Sequence, residues 1–274
     1  MTSHVAAPIP VESLEASAYK IPTDAPESDG TFAWDSTTLV LVTARADGKV
    51  GIGYTYAGTP VVTVVQSMLA DTVSGGDALQ PPARWANMQH AVRNLGKPGV
   101  AAEAISAVDI ALWDLRARLL DEPLTVALGA VHDATPIYGS GGFTSYDNDA
   151  LRSQLCGWVD AGIPRVKIKV GRDPDADSGR VMAARSAIGD ETELFVDANG
   201  AYTRKQALLW AHRFAEHDVG WFEEPVTSDD LEGLHQLREH GPPGWTSPPV
   251  NMVTTYRISS RCSTRALSTA CKPT

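Results

Sequence analysis

RVKIKV at residues 165–170 begins the stretch of sequence that decides the fold, and ELFVD at 193–197 and GWFE at 220–223 continue it. Each run is short and contains several β-branched or aromatic residues, which is typical of a strand. Longer segments with a helical pattern separate the runs, and this alternation predicts parallel strands joined by crossover helices. A short strand is also predicted at 136–142, and the predicted helices span 149–161, 176–188, 204–217 and 229–240.

The spacing of the strand ends distinguishes two parallel-sheet folds. Gly142, Lys169, Asp197 and Glu223 close successive strands at separations of 27, 28 and 26 residues. A (β/α) barrel of about 250 residues has roughly 31 residues in each of its eight units, so the spacing favours a barrel. A doubly wound nucleotide-binding sheet is the alternative. It is disfavoured because GSGG at 139–142 does not match the GxGxxG fingerprint and the second strand does not end in an acidic residue.

The residues before this alternation predict a separate α+β domain. Strands are predicted at 11–20, 37–44 and 50–56, and the dipeptide Asp47-Gly48 between the last two is typical of a hairpin turn. The segment 22–36 is polar and contains Pro and Gly, so it is predicted to be a loop. Helices are predicted at 61–73, 83–95 and 101–120, and the apolar positions of the last helix fall on one face.

Composition excludes several classes of partner. The net charge of -10 argues against nucleic acid or an anionic membrane surface as a partner. No apolar stretch approaches the length of a membrane span, and the first ten residues do not resemble a signal peptide, so we predict a cytoplasmic location. The three cysteines are odd in number and form no CxxC pair, which argues against a disulfide framework or a zinc site.

Polar side chains lie at the ends of three successive predicted strands. In a barrel these carboxyl ends converge on one pocket, where two carboxylates could bind Mg²⁺. A lysine beside a divalent cation and a second lysine has a lowered pKa and can act as a base near neutral pH. Taken singly, each motif also has a purely structural interpretation, as outward lysines of an edge strand, a turn, or a helix start. The residues are Lys167 and Lys169, Asp197 and Asn199, and Glu223 and Glu224.

Together these motifs resemble the mandelate racemase and muconate-lactonising branch of the enolase superfamily. The matching motifs are KIK at 167–169, VDANG at 196–200 and WFEEP at 221–225, and the resemblance covers roughly residues 10–240. It implies an α/β protein in which an N-terminal α+β capping domain (1–133) precedes a TIM-type (β/α) barrel (134–241). With about four βα units, this barrel would be incomplete.

The resemblance also implies roles for the main site residues. Asp197 and Glu223 would bind one Mg²⁺. Lys169 would be the base that removes the proton α to a carboxylate, and Lys167 would lower the pKa of that base. Pairing a Lys or His base with Mg²⁺ is an established feature of the superfamily rather than a deduction from these residues.

Five further residues are assigned weaker roles by the same resemblance. Asn199 and Glu224 would support the metal ligands. Ile21, Trp34 and Tyr54 lie near capping-domain loops that close over the substrate in this family, and they could contact substrate or simply be packed.

The C-terminal residues depart from the family pattern. A third metal ligand is expected near 249–251, but the sequence reads PPVN at 248–251, and the tail from 242 to 274 is irregular and expected to be disordered. A one-base deletion near the Gly244 codon, in the gene or in its recorded sequence, would account for the tail. The shifted frame allows a Glu opposite Asn251, 28 residues after Glu223.

These observations predict Mg²⁺-dependent proton abstraction from a small carboxylate substrate, a hydroxy acid or a sugar acid. The predicted outcome is racemisation, epimerisation or dehydration, and the intact family member is expected to be a homo-oligomer. With its third ligand missing, the chain as it stands is expected to be inactive. The alternatives are a cycloisomerase of the muconate-lactonising type, which uses the same lysine pair, and a non-catalytic remnant that serves as an interaction module.

Overall fold

A computed structural model describes residues 7–243 of the chain. These residues form two compact units: the first contains the residues up to 22 together with 36–134, and the second contains 23–35 together with the residues from 135 onward. Each unit has its own hydrophobic core. The first unit carries an antiparallel hairpin sheet followed by helices, and the second alternates strands and helices, so the α/β fold class predicted from the sequence is confirmed.

A three-stranded sheet begins the fold. Its strands lie in the order β1 (Ser13–Ser28), β2 (Ala33–Ala46) and β3 (Lys49–Tyr56). β2 and β3 are antiparallel, with Ala46 opposite Lys49. The two residues between them, Asp47 and Gly48, have φ values of 45° and 70°, as a two-residue hairpin turn of the primed type requires. The predicted Asp-Gly turn is therefore confirmed.

Helices cover one face of this sheet. The helix α4 (Val100–Leu119) packs directly on β3 because β3 has glycine at the contact: a Cβ atom at Gly53 would lie 2.0 Å from the carbonyl oxygen of Ala107. The helix predicted at 61–73 contains a π-helical turn that the sequence did not predict. The helical segments are α1 (Pro60–Val64), the π-helical turn (Val65–Leu69), α2 (Ala70–Val73), α3 (Pro81–Ala91), α4 (Val100–Leu119) and α5 (Leu124–Ala127).

The segment 22–36, predicted to be a loop, is instead mostly strand. β1 and β2 extend so far toward each other that only residues 29–32 join them, and we call residues 28–32 the hairpin tip. The carboxylate of Asp29 accepts hydrogen bonds from the backbone N–H groups of Thr31 and Phe32, each at 2.7 Å. This local side-chain cap lets the chain reverse within four residues, so the polar composition reflects the turn and not a long loop.

The second unit contains a four-stranded parallel sheet with helices between the strands. The strands lie in sequence order, which confirms the predicted alternation, and four strands are half of the eight in a complete (β/α) barrel. The strands are β4 (Gly139–Ser140), β5 (Arg165–Lys169), β6 (Glu193–Asp197) and β7 (Val219–Glu223). The helices are α6 (Asn148–Asp160), α7 (Pro174–Ile188), α8 (Arg204–Ala215) and α9 (Leu231–His240).

The first strand of this sheet is much shorter than predicted. A strand was expected over 136–142, but β4 contains two residues. The glycines that surround it are required by close neighbours, since a Cβ atom at Gly139 would lie 2.4 Å from the ring of Trp158 and one at Gly141 would lie 2.7 Å from Gln154. Glycine at these positions makes room for α6 at the expense of strand propensity.

Two further expectations from the sequence concern membrane-spanning helices and the C-terminal tail. Within residues 7–243, no helix is long and apolar enough to cross a membrane. The tail that was expected to be irregular (242–274) lies outside the described residues apart from 242 and 243, and so does the region near 249–251 where the third metal ligand was expected.

Candidate active site

The last residues of three parallel strands lie side by side. Lys169 on β5 is opposite Asp197 on β6, and Asp197 is opposite Glu223 on β7. Side chains alternate along a strand, so Lys167, two residues before Lys169, lies on the same face of the sheet. The structure thus brings together the four residues to which the sequence assigned base and metal-binding roles.

The two lysines form ion pairs with the two carboxylates. The Nζ atom of Lys169 lies 2.6 Å from Oδ2 of Asp197, and the Nζ atom of Lys167 donates to Oε2 of Glu223 and lies 3.6 Å from Oδ2 of Asp197. The side chains are 4% exposed for Asp197, 7% for Lys167, 13% for Glu223 and 15% for Lys169. In this arrangement the two positive charges balance the two nearest negative charges away from bulk water.

Lys167 is the more deeply buried of the two lysines. Burial alone would lower the pKa of its ammonium group, but the hydrogen bond to Glu223 and the charges of Asp197 and Glu223 outweigh that effect, so its pKa lies above the usual value. Its Nζ atom also lies 5.1 Å from the ring centroid of Tyr138 and 5.4 Å from that of Trp221. The two aromatic rings give the Lys167 cation a favourable electrostatic environment.

Asn199 and Glu224 follow the strand ends, and Asn199 contacts the carboxylates of both Asp197 and Glu224. The backbone N–H of Asn199 donates to Oδ1 of Asp197 at 2.9 Å, and its side-chain amide donates to Glu224 at 3.3 Å. Both residues have positive φ, 49° and 41°, a conformation that non-glycine residues rarely adopt and that costs of order 1 kcal/mol or more. Burial, followed by the charges of Asp197 and Glu223, raises the pKa of Glu224.

The donor chemistry of this cluster suits Mg²⁺ in part. Asp197 and Glu223 supply hard carboxylate oxygens from adjacent strand ends, and the Oδ1 atom of Asn199 is buried without a hydrogen-bond partner among the described residues. However, residues 7–243 contain no group of three or more His, Cys, Asp or Glu side chains arranged to hold a metal ion. The described part of the chain therefore offers two adjacent carboxylates, Asp197 and Glu223, that could bind a metal ion.

The three weaker candidates are divided between the units. Trp34 belongs to the second unit, where its indole N–H donates to Glu27 at 2.7 Å and its ring meets that of Phe143 edge to face at 5.6 Å. Ile21 and Tyr54 belong to the first unit and are 43% and 52% exposed, and the ring of Tyr54 meets that of Tyr56 edge to face at 5.9 Å. A role for these three residues in substrate binding stays a prediction.

Sequence reasoning missed two aromatic residues next to Lys167. Tyr138 and Trp221 contact each other and Phe195 edge to face, with ring centroids 5.4–5.9 Å apart. A signal for Trp221 was present, because it lies two residues before Glu223 on β7 and must share its face. Tyr138 precedes a two-residue strand, and its position could not be deduced from strand periodicity.

The sequence matches two domain families along most of its described length. Residues 20–129 match the N-terminal domain of mandelate racemase / muconate lactonizing enzyme, and residues 150–250 match the enolase C-terminal domain-like family. Together with the solved structures below, these matches show that the chain belongs to the mandelate racemase / muconate lactonizing enzyme family of the enolase superfamily, as the motifs predicted.

Two curated relatives illustrate the reactions found among similar proteins. The chain is 35% identical to 3,6-anhydro-alpha-L-galactonate cycloisomerase of Streptomyces coelicolor over 84% of this chain and 66% of that protein. It is 34% identical to L-talarate/galactarate dehydratase of Salmonella typhimurium over 73% of this chain and 52% of that protein. The chain therefore spans between half and two thirds of the length of these relatives.

Solved structures agree with this assignment. A mandelate racemase/muconate lactonizing enzyme-like protein from Rubrobacter xylanophilus is 60% identical, with a TM-score of 0.84 over 86% of this chain and 66% of that one. A racemase from Streptomyces coelicolor with bound magnesium is 30% identical, with a TM-score of 0.82 over 94% of this chain and 81% of that one.

Proposed function

We propose that Asp197 and Glu223 bind one Mg²⁺ and that Lys169 removes the proton α to the carboxylate of a hydroxy acid or sugar acid. The observation that carries this proposal is the shared row of Lys169, Asp197 and Glu223 at the carboxyl ends of three parallel strands. In barrel enzymes, catalytic residues come from this end of the strands. The bound magnesium in a related racemase supports the choice of metal.

The chemistry requires both a base and a means to stabilise negative charge. An α-proton of a carboxylate is weakly acidic, and Mg²⁺, when bound, supplies positive charge against the charge that develops on the substrate carboxylate. Lys169 has to give up its contact with Asp197 to reach a substrate proton. Lys167 remains enclosed between Tyr138 and Trp221, on the same face of the sheet as Lys169.

We infer that the reaction class is racemisation or epimerisation, or dehydration of an acid sugar. A related racemase and a related L-talarate/galactarate dehydratase support these two outcomes. The second candidate is a cycloisomerase, which the 35% identical cycloisomerase favours. All of these reactions can begin with the same lysine, so the first half of the reaction is the common element of the proposal.

We further propose that the first unit acts as the capping domain, with its predicted boundary at 133, and the second as the barrel domain. Because the described residues provide two metal carboxylates, we expect Mg²⁺ to bind weakly, and we expect turnover by this chain to be absent or slow. We also propose that the intact family member is a homo-oligomer and that the protein is cytoplasmic. The competing function is that of a non-catalytic interaction module.

The test is stabilisation of the full chain by Mg²⁺ in thermal unfolding. If the dissociation constant is about 1 mM, 10 mM Mg²⁺ should stabilise the folded state by roughly 1.4 kcal/mol, which raises the unfolding midpoint by a few degrees. Asp197→Ala should abolish this shift. Glu193→Ala is the matched control, since Glu193 is at the opposite end of the same strand and pairs with Arg165 at 2.7 Å.

The outcomes separate the two functions. A shift in the wild-type chain and in Glu193→Ala, but not in Asp197→Ala, supports a metal site at the strand ends. The absence of any shift in the wild type at 10 mM Mg²⁺ contradicts the enzyme proposal and favours the interaction module.

A further inference from the structure

Arg180 on α7 binds the backbone of the segments on which the site is built. Its guanidinium donates to the carbonyl oxygens of Lys169 at 3.0 Å, Tyr146 at 3.0 Å, Gly142 at 2.7 Å and Phe143 at 2.5 Å. A guanidinium presents five N–H donors in one rigid plane, so four simultaneous acceptors fix those carbonyls relative to each other. One of the four is the carbonyl of Lys169.

The loop that Arg180 holds also seats the hairpin tip. Thr144 lies within this loop; its backbone N–H donates to the carbonyl of Ser28 at 2.8 Å, and its hydroxyl donates to the carbonyl of Asp29 at 2.9 Å. At the tip, a Cβ atom at Gly30 would lie 2.3 Å from the carbonyl oxygen of Ala198 and 2.8 Å from that of Val170. The tip thus rests on the residues that follow β5 and β6.

Asp177, one turn before Arg180, ties the same helix to the neighbouring turns. Its buried carboxylate accepts the backbone N–H of Gly171 at 2.9 Å and the hydroxyl of Tyr202. The first half of α7 therefore contacts the loops that follow β4, β5 and β6, all at the carboxyl end of the sheet. An arginine on a helix would otherwise be expected to extend into solvent.

We propose that Arg180 is a positioning residue, which fixes the backbone of Lys169 and the loop 142–146 on which the hairpin tip rests. This inference rests on the proposed function only in taking Lys169 as the base. The positioning itself is a matter of geometry and can be measured without metal or substrate.

The same helix contains a matched control. Arg185 also donates to four carbonyls, those of Gly189 and Thr192 at 2.8 Å, Asp218 at 2.9 Å and His217 at 3.1 Å. These carbonyls precede β6 and β7, so Arg185 acts at the amino end of the sheet. Loss of either arginine removes a comparable set of hydrogen bonds, but only Arg180 contacts the site.

The experiment compares Arg180→Met, Arg185→Met and the wild type in the full chain without metal. Native protein is treated with an amine-acylating reagent at fixed pH, and the labelling rate of Lys169 is followed by peptide mass spectrometry. We expect the reagent to label Lys169 roughly tenfold faster in Arg180→Met than in the wild type. A factor of about ten corresponds to the loss of one hydrogen bond to a charged group. Amide hydrogen exchange in residues 142–146 should accelerate in parallel.

Arg185→Met should leave both readouts at the wild-type rate, although it should also lower the urea midpoint of unfolding. Equal rates in the two variants, or an unchanged Lys169 rate in Arg180→Met, would overturn the proposal. If Arg180→Met does not fold, Arg180→Lys replaces it. The lysine keeps the charge but cannot span four carbonyls, so Lys169 should remain more reactive than in the wild type, and full protection by the lysine would also overturn the proposal.

Failure of the proposed function gives a different result. If Mg²⁺ does not stabilise the wild type but Arg180→Met selectively exposes Lys169, the positioning role stands and the metal-dependent chemistry falls. If Mg²⁺ stabilises the wild type but Arg180→Met leaves the labelling rate of Lys169 unchanged, the metal-dependent function stands and the positioning role of Arg180 falls.

Discussion

Replacement of Asp197 by Asn tests the charge balance of the site. The substitution keeps the shape of the side chain and an oxygen that can accept the backbone N–H of Asn199, so it removes mainly the negative charge. Lys169 then loses its direct partner at 2.6 Å, while Lys167 keeps Glu223. The more distant charge of Glu224 remains near Lys169.

The expected cost follows from burial. Removing one member of a buried ion pair costs about 3–5 kcal/mol, and because Lys169 retains some exposure and a distant carboxylate we expect about 3 kcal/mol for Asp197→Asn. Lys169→Met should cost less, about 1 kcal/mol, because Asp197 retains Lys167 at 3.6 Å and the N–H of Asn199. Substituting Asp197 should therefore lower the free energy of unfolding more than substituting Lys169, although the two residues form one ion pair.

Urea denaturation in the presence of EDTA measures this difference. With a slope of about 2–3 kcal/mol per molar urea, the midpoint of Asp197→Asn should fall by about 1 M or more, and that of Lys169→Met by less than half as much. Equal shifts, or a stable Asp197→Asn variant, would refute the reasoning, because the lysines and carboxylates could not then be paired as described in the metal-free protein.

Three further predictions follow from the same contacts. Lys169→Met should tighten Mg²⁺ binding in calorimetric titration, because the lysine no longer competes for Oδ2 of Asp197; weaker binding would contradict this. Asp177→Ala should lower the free energy of unfolding by about 2–4 kcal/mol in urea, since the buried Tyr202 hydroxyl and a backbone N–H lose their acceptor, and an effect below 1 kcal/mol would count against it. Gly53→Ala should lower the free energy of unfolding by about 3 kcal/mol or more, because the added methyl group meets the backbone of α4. Gly48→Ala should cost only about 1 kcal/mol, because Gly48 has positive φ but open space around it. Similar urea midpoints for the two variants would argue against close packing of α4 on β3.

The row of site residues could be predicted from the sequence because it depends on periodicity. Strand ends at intervals of 26–28 residues placed Lys169, Asp197 and Glu223 at one edge of a parallel sheet, and the structure has them in register. Alternation along a strand likewise implies that Lys167 shares their face. The catalytic and metal-binding roles of these residues stay predictions until they are tested.

Two kinds of feature could not be predicted: a turn with the composition of a loop, and side-chain roles that depend on long-range contacts. The hairpin tip is polar, and a turn that caps itself through Asp29 has the composition of an ordinary loop. Arg180 and Arg185 are five residues apart on one helix, and nothing in the sequence distinguishes them from exposed arginines. Their roles follow only from the carbonyl groups that tertiary folding brings to them.

Direct metal binding tests the central claim, that the strand-end carboxylates hold a divalent cation beside Lys169. Mn²⁺ can replace Mg²⁺ as a paramagnetic probe, and the electron paramagnetic resonance signal of free Mn²⁺ decreases as the ion binds. We predict one site per wild-type chain, loss of that site in Asp197→Asn, and its retention in Glu193→Gln. Binding that is equal in all three proteins, or undetectable in the wild type at millimolar Mn²⁺, would contradict the account.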